Sequence, residues 1–117
     1  MSQNRQEYHS LNRVELSVTV SGGTGSVTAV QRFNSFIRQI IVNPTTTAFP
    51  GVNYDLVVSD VDNDIFERMG ITGRYNTMYN EDNTTASPFK LPAWGTLTFK
   101  IENSSKDEVM TVAIYYN

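Results

Sequence analysis

Cysteine is absent from this sequence of 117 residues, and histidine occurs once, as His9. Without cysteine there can be no disulfide framework, no thiolate nucleophile and no cysteine-ligated metal. One histidine cannot build a zinc-type cluster, and a Ser-His-Asp arrangement would have to recruit it from a loose chain end. We therefore predict a protein that is not an enzyme and that carries no cofactor and no metal.

Basic charge and long apolar runs are also scarce. Nine Lys and Arg residues stand against twelve Asp and Glu, which gives a net charge of −3 and a pI near 5.0. Phosphate contacts need clustered basic residues, so this balance argues against a nucleic-acid partner. No stretch approaches the roughly 20 apolar residues of a membrane-spanning helix. Residues 1–10 contain no apolar core of a secretory signal, so we expect no membrane partner and no general secretory export.

The residues that are abundant indicate an all-β protein. Asn, Thr and Ser are plentiful, and there are six Tyr and six Phe, a composition that favours strands joined by polar loops. Residues 14–20 alternate between apolar and polar side chains, and residues 36–42 form a nearly continuous β-branched run that suits a central strand. The spacing of turn signals predicts an antiparallel β-sandwich or jelly-roll of about seven to eight strands.

The end of the chain gives the strongest local pattern. Residues 96–101 and 109–116 predict two strands joined by a polar turn. In the first of these strands Leu97, Phe99 and Ile101 are expected to share one face, because strand side chains alternate. The second of these strands is the most apolar run in the chain, and we expect it to pair with a strand far back in the sequence. Turns are predicted at 69–73, and a long loop at 80–94. Trp94, at the end of that loop, is predicted to plug one end of the sandwich.

The chain divides into a short arm and one domain. Residues 1–13 are mostly polar and predict an N-terminal arm that orders on a partner. Residues 14–117 are the length of a single β-sandwich domain.

An acidic turn follows the middle of the chain. Asp60, Asp62 and Asp64 alternate there, and their oxygens could converge on a hard cation such as Ca²⁺. The EF-hand pattern fails, because Ile65 occupies the position of the required glycine and Ile71 that of the bidentate glutamate. A solvated hairpin turn is the favoured interpretation, since Asp and Asn suit turns. An irregular calcium site is the alternative.

Four aromatic residues suggest a second kind of site. Tyr54, Tyr75, Tyr79 and Trp94 could form a platform on which sugars stack. The other interpretation is that these rings pack in the core and loops.

Three segments resemble a recurring type of small structural protein in the virions of tailed bacteriophages. They are FIRQIIVNP at 36–44, YDLVVSDVDNDIFER at 54–68 with GITG at 70–73, and LPAWGTLTFKIEN at 91–103. These motifs describe strands and turns and bring no site residues with them. The resemblance implies a jelly-roll or β-sandwich that cements or decorates the capsid, often as an oligomer around a local symmetry axis.

The resulting hypothesis is a cement or decoration protein on the capsid surface, made in the host cytoplasm. Its expected partners are the major capsid protein and neighbouring copies of itself, as a homo-oligomer. The predicted interface residues are Arg5, Tyr8, Arg13 and Phe49, since arginine and aromatic residues dominate contact energies. The alternatives are a carbohydrate-binding module that uses Tyr75, Tyr79 and Trp94, or a tail-associated adhesion protein.

Overall fold

A computed structural model describes residues 11–46, 51–78 and 89–117. These residues form nine β-strands and no helix, which confirms the all-β prediction. The strands are β1 (Asn12–Thr19), β2 (Gly25–Thr28), β3 (Phe33–Pro44), β4 (Asn53–Ser59), β5 (Asp64–Thr72), β6 (Tyr75–Asn76), β7 (Leu91–Gly95), β8 (Thr98–Glu102) and β9 (Val109–Tyr116).

The strands form two antiparallel sheets. In the first sheet the order is β1-β9-β3-β6, and β7 also pairs with β3; in the second it is β2-β8-β4-β5. The first strand pairs with the last, the second with β8, the third with β6 and β7, and the fourth with the fifth. This nested pairing is the winding of a jelly-roll. Strands β6 and β7 pair with different parts of the same edge of β3 and together take the place of one strand. The structure therefore has nine strands where seven to eight were predicted.

The core lies between the two sheets and follows from side-chain alternation. Leu97, Phe99 and Ile101 are fully buried, as their spacing predicted. The first sheet faces them with an equally buried set: Val18, Ile37, Ile40, Val42, Met110, Val112 and Ile114. The apolar positions of each strand therefore determine which face it turns to the core.

The two last strands do not form a hairpin. Strand β8 pairs with β2 and β4, whereas β9 pairs with β1 and β3. Residues 103–108 thus cross from one sheet to the other, because each strand buries its apolar face from its own side of the core. The expectation that the last strand pairs far back in the sequence is confirmed.

Three predicted boundaries were wrong. The turn expected at 69–73 lies later, because β5 continues to Thr72 through a bulge at Gly70, whose φ is 67°. The loop expected at 80–94 ends earlier, since β7 begins at Leu91. Strand β1 begins at Asn12 rather than at residue 14, so Arg13 belongs to the sheet; residues 1–10 of the expected arm lie outside the described residues.

Candidate interaction face

The outer faces of the two sheets differ in chemistry. In the first sheet the residues that alternate with the buried ones point away from the core, and several are apolar or aromatic. We call this surface the apolar outer face; its members are Phe36, Ile41, Pro92, Trp94, Ala113 and Tyr115. In the second sheet the corresponding positions are polar or charged for the most part, including Thr28, Asp64, Glu67, Thr98, Lys100 and Glu102.

One half of the apolar outer face lies on β3 and β7. Trp94 is opposite Asn34 and Pro92 is opposite Phe36 in the antiparallel ladder. The ammonium of Lys90 lies 4.5 Å from the centre of the Phe36 ring, a cation–π contact. Trp94 is 66% exposed. A tryptophan with this exposure is unusual on a surface that meets only water.

The other half lies on β9 and β1. Tyr115 is between Gln39 and Arg13 in one row of the sheet. The Arg13 Nε donates a 3.0 Å hydrogen bond to the Tyr115 hydroxyl, and the guanidinium lies 5.6 Å from the ring centre. A second Arg13 nitrogen donates to Glu15 over 2.7 Å. The hydrogen bonds from Arg13 to Glu15 and Tyr115 raise the pKa of Arg13, so this arginine is a fixed positive charge on β1.

The second sheet exposes one large apolar side chain from its described strands, Met69, which is 61% exposed on the edge strand β5, but no group of aromatic residues. Val57 points outward there, but it lies between Lys100 and Glu67 and is only 4% exposed. Asp64 lies 3.8 Å from the Lys100 ammonium. Partly exposed ion pairs of this kind contribute about 0–1 kcal/mol to stability. The outer face of the second sheet is therefore a solvated, charged surface.

Of the predicted interface residues, the structure places Arg13. It is exposed on β1 and joins the row that contains Tyr115. Arg5, Tyr8 and Phe49 lie outside the described residues. Sequence reasoning missed Phe36, Pro92 and Tyr115 as a group, because their common face depends on which strands lie side by side.

The described residues do not form the predicted aromatic platform. Tyr54 is a core residue whose hydroxyl donates a 2.7 Å hydrogen bond to the Gly73 carbonyl, and burial raises its pKa. Tyr75 packs against the core, with the Arg68 guanidinium 5.9 Å from its ring centre. Tyr79 is outside the described residues.

The positions of Tyr75 and Trp94 on β3 also keep them apart. Tyr75 is opposite Val42 and Trp94 is opposite Asn34. At about 3.3 Å per residue, this separation along the strand is roughly 26 Å. The prediction that Trp94 plugs the sandwich is wrong as well: Leu91 and Ala93 take the inward positions of β7, so alternation turns Trp94 outward.

In the acidic turn, the carboxylates of Asp60 and Asp64 accept hydrogen bonds from residues of the same turn. The Asp60 Oδ1 accepts hydrogen bonds from the backbone N–H groups of Asn63 at 2.7 Å and Asp62 at 2.8 Å. These bonds, that from Asn63 first, lower the pKa of Asp60. Ser59 donates to Asp64 over 2.6 Å. In the described part of the chain, no three His, Cys, Asp or Glu side chains are grouped so that they could hold a metal ion.

The described residues also contain no helix with the length and apolarity needed to cross a membrane.

No protein-family model matches the chain, and no curated protein matches it. Three solved structures show low similarity. The Drosophila NLP core, described for pentamer formation and histone binding, has 18% identity and a TM-score of 0.41, covering 90% of this chain and 98% of that chain. The virus-like particle of extra small virus from the giant freshwater prawn Macrobrachium rosenbergii has 12% identity and a TM-score of 0.28, covering 92% of this chain and 79% of that chain.

Infectious bursal disease virus, strain Gx, has 10% identity and a TM-score of 0.24, covering 91% of this chain and 35% of that chain. The structural neighbours thus include proteins of two viruses. All three similarities are too low to assign a function.

Proposed function

We propose that this chain is a non-enzymatic structural protein of a virus particle, a cement or decoration protein that binds the capsid surface of a tailed bacteriophage. Its partners are the major capsid protein and neighbouring copies of itself. The observation that supports this proposal is the apolar outer face, on which Trp94 is the most exposed large side chain. The resemblance of the segments 36–44, 54–73 and 91–103 to phage virion proteins suggests the type of particle.

The asymmetry of the sandwich suits attachment to a protein shell. Protein interfaces concentrate aromatic residues and arginine in their centres and exclude most other charges. The apolar outer face has this composition, with Phe36 and Trp94 in one half and Tyr115 beside Arg13 in the other, whereas the second sheet carries acids and lysine. We infer that the first sheet faces the shell and the second sheet faces solvent.

Trp94 is the expected anchor. A tryptophan buries about 150–250 Å² when it is covered, and Trp94 still exposes most of its surface. At about 25 cal/mol per Å², covering the rest yields roughly 2.5–4 kcal/mol before ordering costs. Ordering the side chain costs about 0.5–1.5 kcal/mol of this gain, so its loss is expected to weaken binding by about 10- to 100-fold, with each factor of ten worth about 1.4 kcal/mol.

Co-sedimentation with purified capsids from the same genome tests the proposal. Trp94→Ala should remove most of the bound protein, and Glu67→Ala, on the second sheet, is the matched control that should bind as the unaltered chain does. Deletion of residues 1–10 measures separately what the N-terminal arm adds. If the unaltered chain neither binds capsids nor self-associates, the proposal is wrong.

A glycan array separates the carbohydrate-binding alternative. Specific glycan binding that Trp94→Ala abolishes, together with no capsid binding, would favour a carbohydrate-binding module. Absence of glycan binding together with Trp94-dependent sedimentation would favour the capsid role.

A further inference from the structure

The free edges of the two sheets are not equally protected against pairing with another chain. Exposed edge strands invite such pairing, and proteins usually block it with short or interrupted strands, bulges, prolines or charged side chains, lysine above all. Strand β2 has only four residues, and β5 has two register shifts against β4. The edge formed by β6 and β7 is interrupted and contains Pro92. Three of the four edges therefore carry a feature that prevents extension of the sheet.

Strand β1 is neither short nor bulged, and its two charged residues, Arg13 and Glu15, are of opposite sign. It is eight residues long, and its register against β9 runs from Asn12 opposite Tyr116 to Thr19 opposite Val109 without a shift. It contains no proline, glycine or lysine. Within the ranges that the structure describes, no strand pairs with its outer edge. The edge therefore offers a regular row of backbone donors and acceptors to a further strand.

The inward residues of β1 also remain incompletely covered. Val18 is fully buried, but Val14 and Leu16 are partly exposed although they pack against the core. Leu11, just before the strand, is exposed. A further strand beside β1 would remove this apolar surface from water, which is favourable at about 25 cal/mol per Å².

The charges on β1 indicate a second copy as the occupant. Arg13 and Glu15 lie on the outer face, with side chains 49% and 50% exposed. When two β1 strands pair antiparallel about a two-fold axis, a pairing centred on Val14 places each Arg13 directly opposite Glu15 of the second copy. Opposite charges in such positions stabilise a sheet, and like charges destabilise it.

Neighbouring registers lack this match. A pairing centred on Arg13 or on Glu15 sets a like-charged pair at the axis, and a pairing centred on Leu16 sets Glu15 opposite Ser17. Any pairing of two β1 strands must also keep their apolar side chains on the core side of the joined sheet. A shift of one strand by one residue against the other would turn all its side chains to the opposite face. The charge pattern of β1 is thus self-complementary in the register centred on Val14.

We propose that two copies of this chain pair antiparallel along β1, about a two-fold axis at Val14, and join their first sheets into one continuous sheet. The pairing rests on the self-association in the proposed function but not on capsid binding. It places two apolar outer faces side by side, so that a dimer could engage a particle surface with two Trp94 anchors. Such bivalency increases overall affinity without new contacts.

A charge-reversal experiment tests the register. Arg13→Glu gives a chain with two acids on the edge, and Glu15→Arg gives a chain with two arginines. Each variant alone places like charges opposite each other, so we expect its dimer dissociation constant to rise at least tenfold by sedimentation equilibrium. Mixed in equal amounts, the two variants should form a one-to-one heterodimer, detected by native mass spectrometry.

Two controls accompany this test. The chain carrying both changes should dimerise as the unaltered chain does, and Glu67→Arg, on the opposite sheet, should leave the dimer intact. Circular dichroism melting confirms that each variant is folded. An unaltered chain that stays monomeric at high concentration, single variants that dimerise normally, or a mixture without heterodimer would each overturn the proposal.

The outcomes also separate this pairing from capsid binding. Trp94→Ala should leave the β1 dimer intact while it weakens capsid binding. A charge-dependent dimer that binds no capsid would support the pairing and contradict the cement function. Capsid binding by a strictly monomeric chain would support the cement function and contradict the pairing.

Discussion

The two sheets share one core but differ on the surfaces that they turn away from it. In the first sheet Trp94 is 66% exposed and shares its face with Phe36 and Tyr115. In the second sheet Met69 is 61% exposed on the edge strand β5, while the outward Val57 is 4% exposed between charged neighbours. The first sheet also ends in the regular strand β1, whereas the second ends in the bulged strand β5 and the four-residue strand β2. The difference shows that burial of the core constrains both sheets alike, while the outer positions are free to specialise.

This comparison has a simple physical basis. Inward positions must be apolar in either sheet, because a buried polar group without a partner is costly. Outward positions carry no such requirement, and charged residues there keep a protein soluble. A sheet that instead presents Trp94, Phe36 and Tyr115 gives up that advantage. We interpret the apolar outer face as a contact surface for this reason.

The largest expected effect is the loss of the first sheet when its central strand is removed. Strand β9 lies between β1 and β3 and contributes Met110, Val112 and Ile114, all fully buried. Deletion of residues 109–117 should therefore abolish soluble folding, measured by circular dichroism and by the soluble yield of the truncated chain. Deletion of residues 1–10 is the control and should leave the fold intact. A soluble truncated chain with an unchanged β-type spectrum would contradict this assignment of β9.

A pair of neighbouring residues tests the two faces of the second sheet. Phe99 is fully buried and Lys100 faces outward. Phe99→Ala should reduce the free energy of unfolding by about 3–5 kcal/mol, because it leaves a cavity in the core. Lys100→Ala should change it by less than about 0.5 kcal/mol. Urea denaturation measures both, and similar values for the two variants would contradict the assigned orientation of β8.

The smallest effect concerns the pH dependence of the second sheet. Asp55 is 8% exposed, and its carboxylate accepts hydrogen bonds from the Asn103 amide at 2.8 Å and the Gly70 N–H at 2.9 Å. These bonds, that from Asn103 first, lower the pKa of Asp55 below its ordinary value of 3.8. The charged form is therefore favoured by folding. Its stabilisation is complete above about pH 4 and is lost as the pH falls through the folded pKa.

Asp55→Asn provides the measurement for this effect. At pH 7 the variant should be less stable than the unaltered chain, and the difference should shrink as the pH falls below about 4, where the unaltered carboxylate becomes protonated. Urea midpoints across this pH range measure the difference. A constant difference at every pH would show that Asp55 contributes through shape rather than charge.

Several strands could be predicted because their signals are local. The alternation of Leu97, Phe99 and Ile101 predicted the buried face of β8, and β9 was predicted with the bounds that the structure gives. The same alternation would have turned Trp94 outward had 91–95 been recognised as a strand. Pro92 and Gly95 within that segment obscured its strand pattern.

The candidate site could not be predicted in the same way, because its residues come from four strands. Arg13 was predicted as an anchor from its residue type, but its position beside Tyr115 depends on the pairing of β1 with β9. The grouping of Trp94 with Phe36 depends on the pairing of β7 with β3. These pairings join positions far apart in the sequence, and local patterns do not specify them.

The residue pattern alone was enough to predict that the chain is all-β, which residues of most strands face the core, and where the acidic turn and the polar segment before the last strand fall. These properties depend on neighbouring residues, whose side chains alternate with a period of two. The three-dimensional arrangement was needed to learn that the last two strands lie in opposite sheets, that one outer face is apolar, and that β1 is the long, regular edge. Those properties depend on which strands lie side by side, and burial of the whole core selects that arrangement.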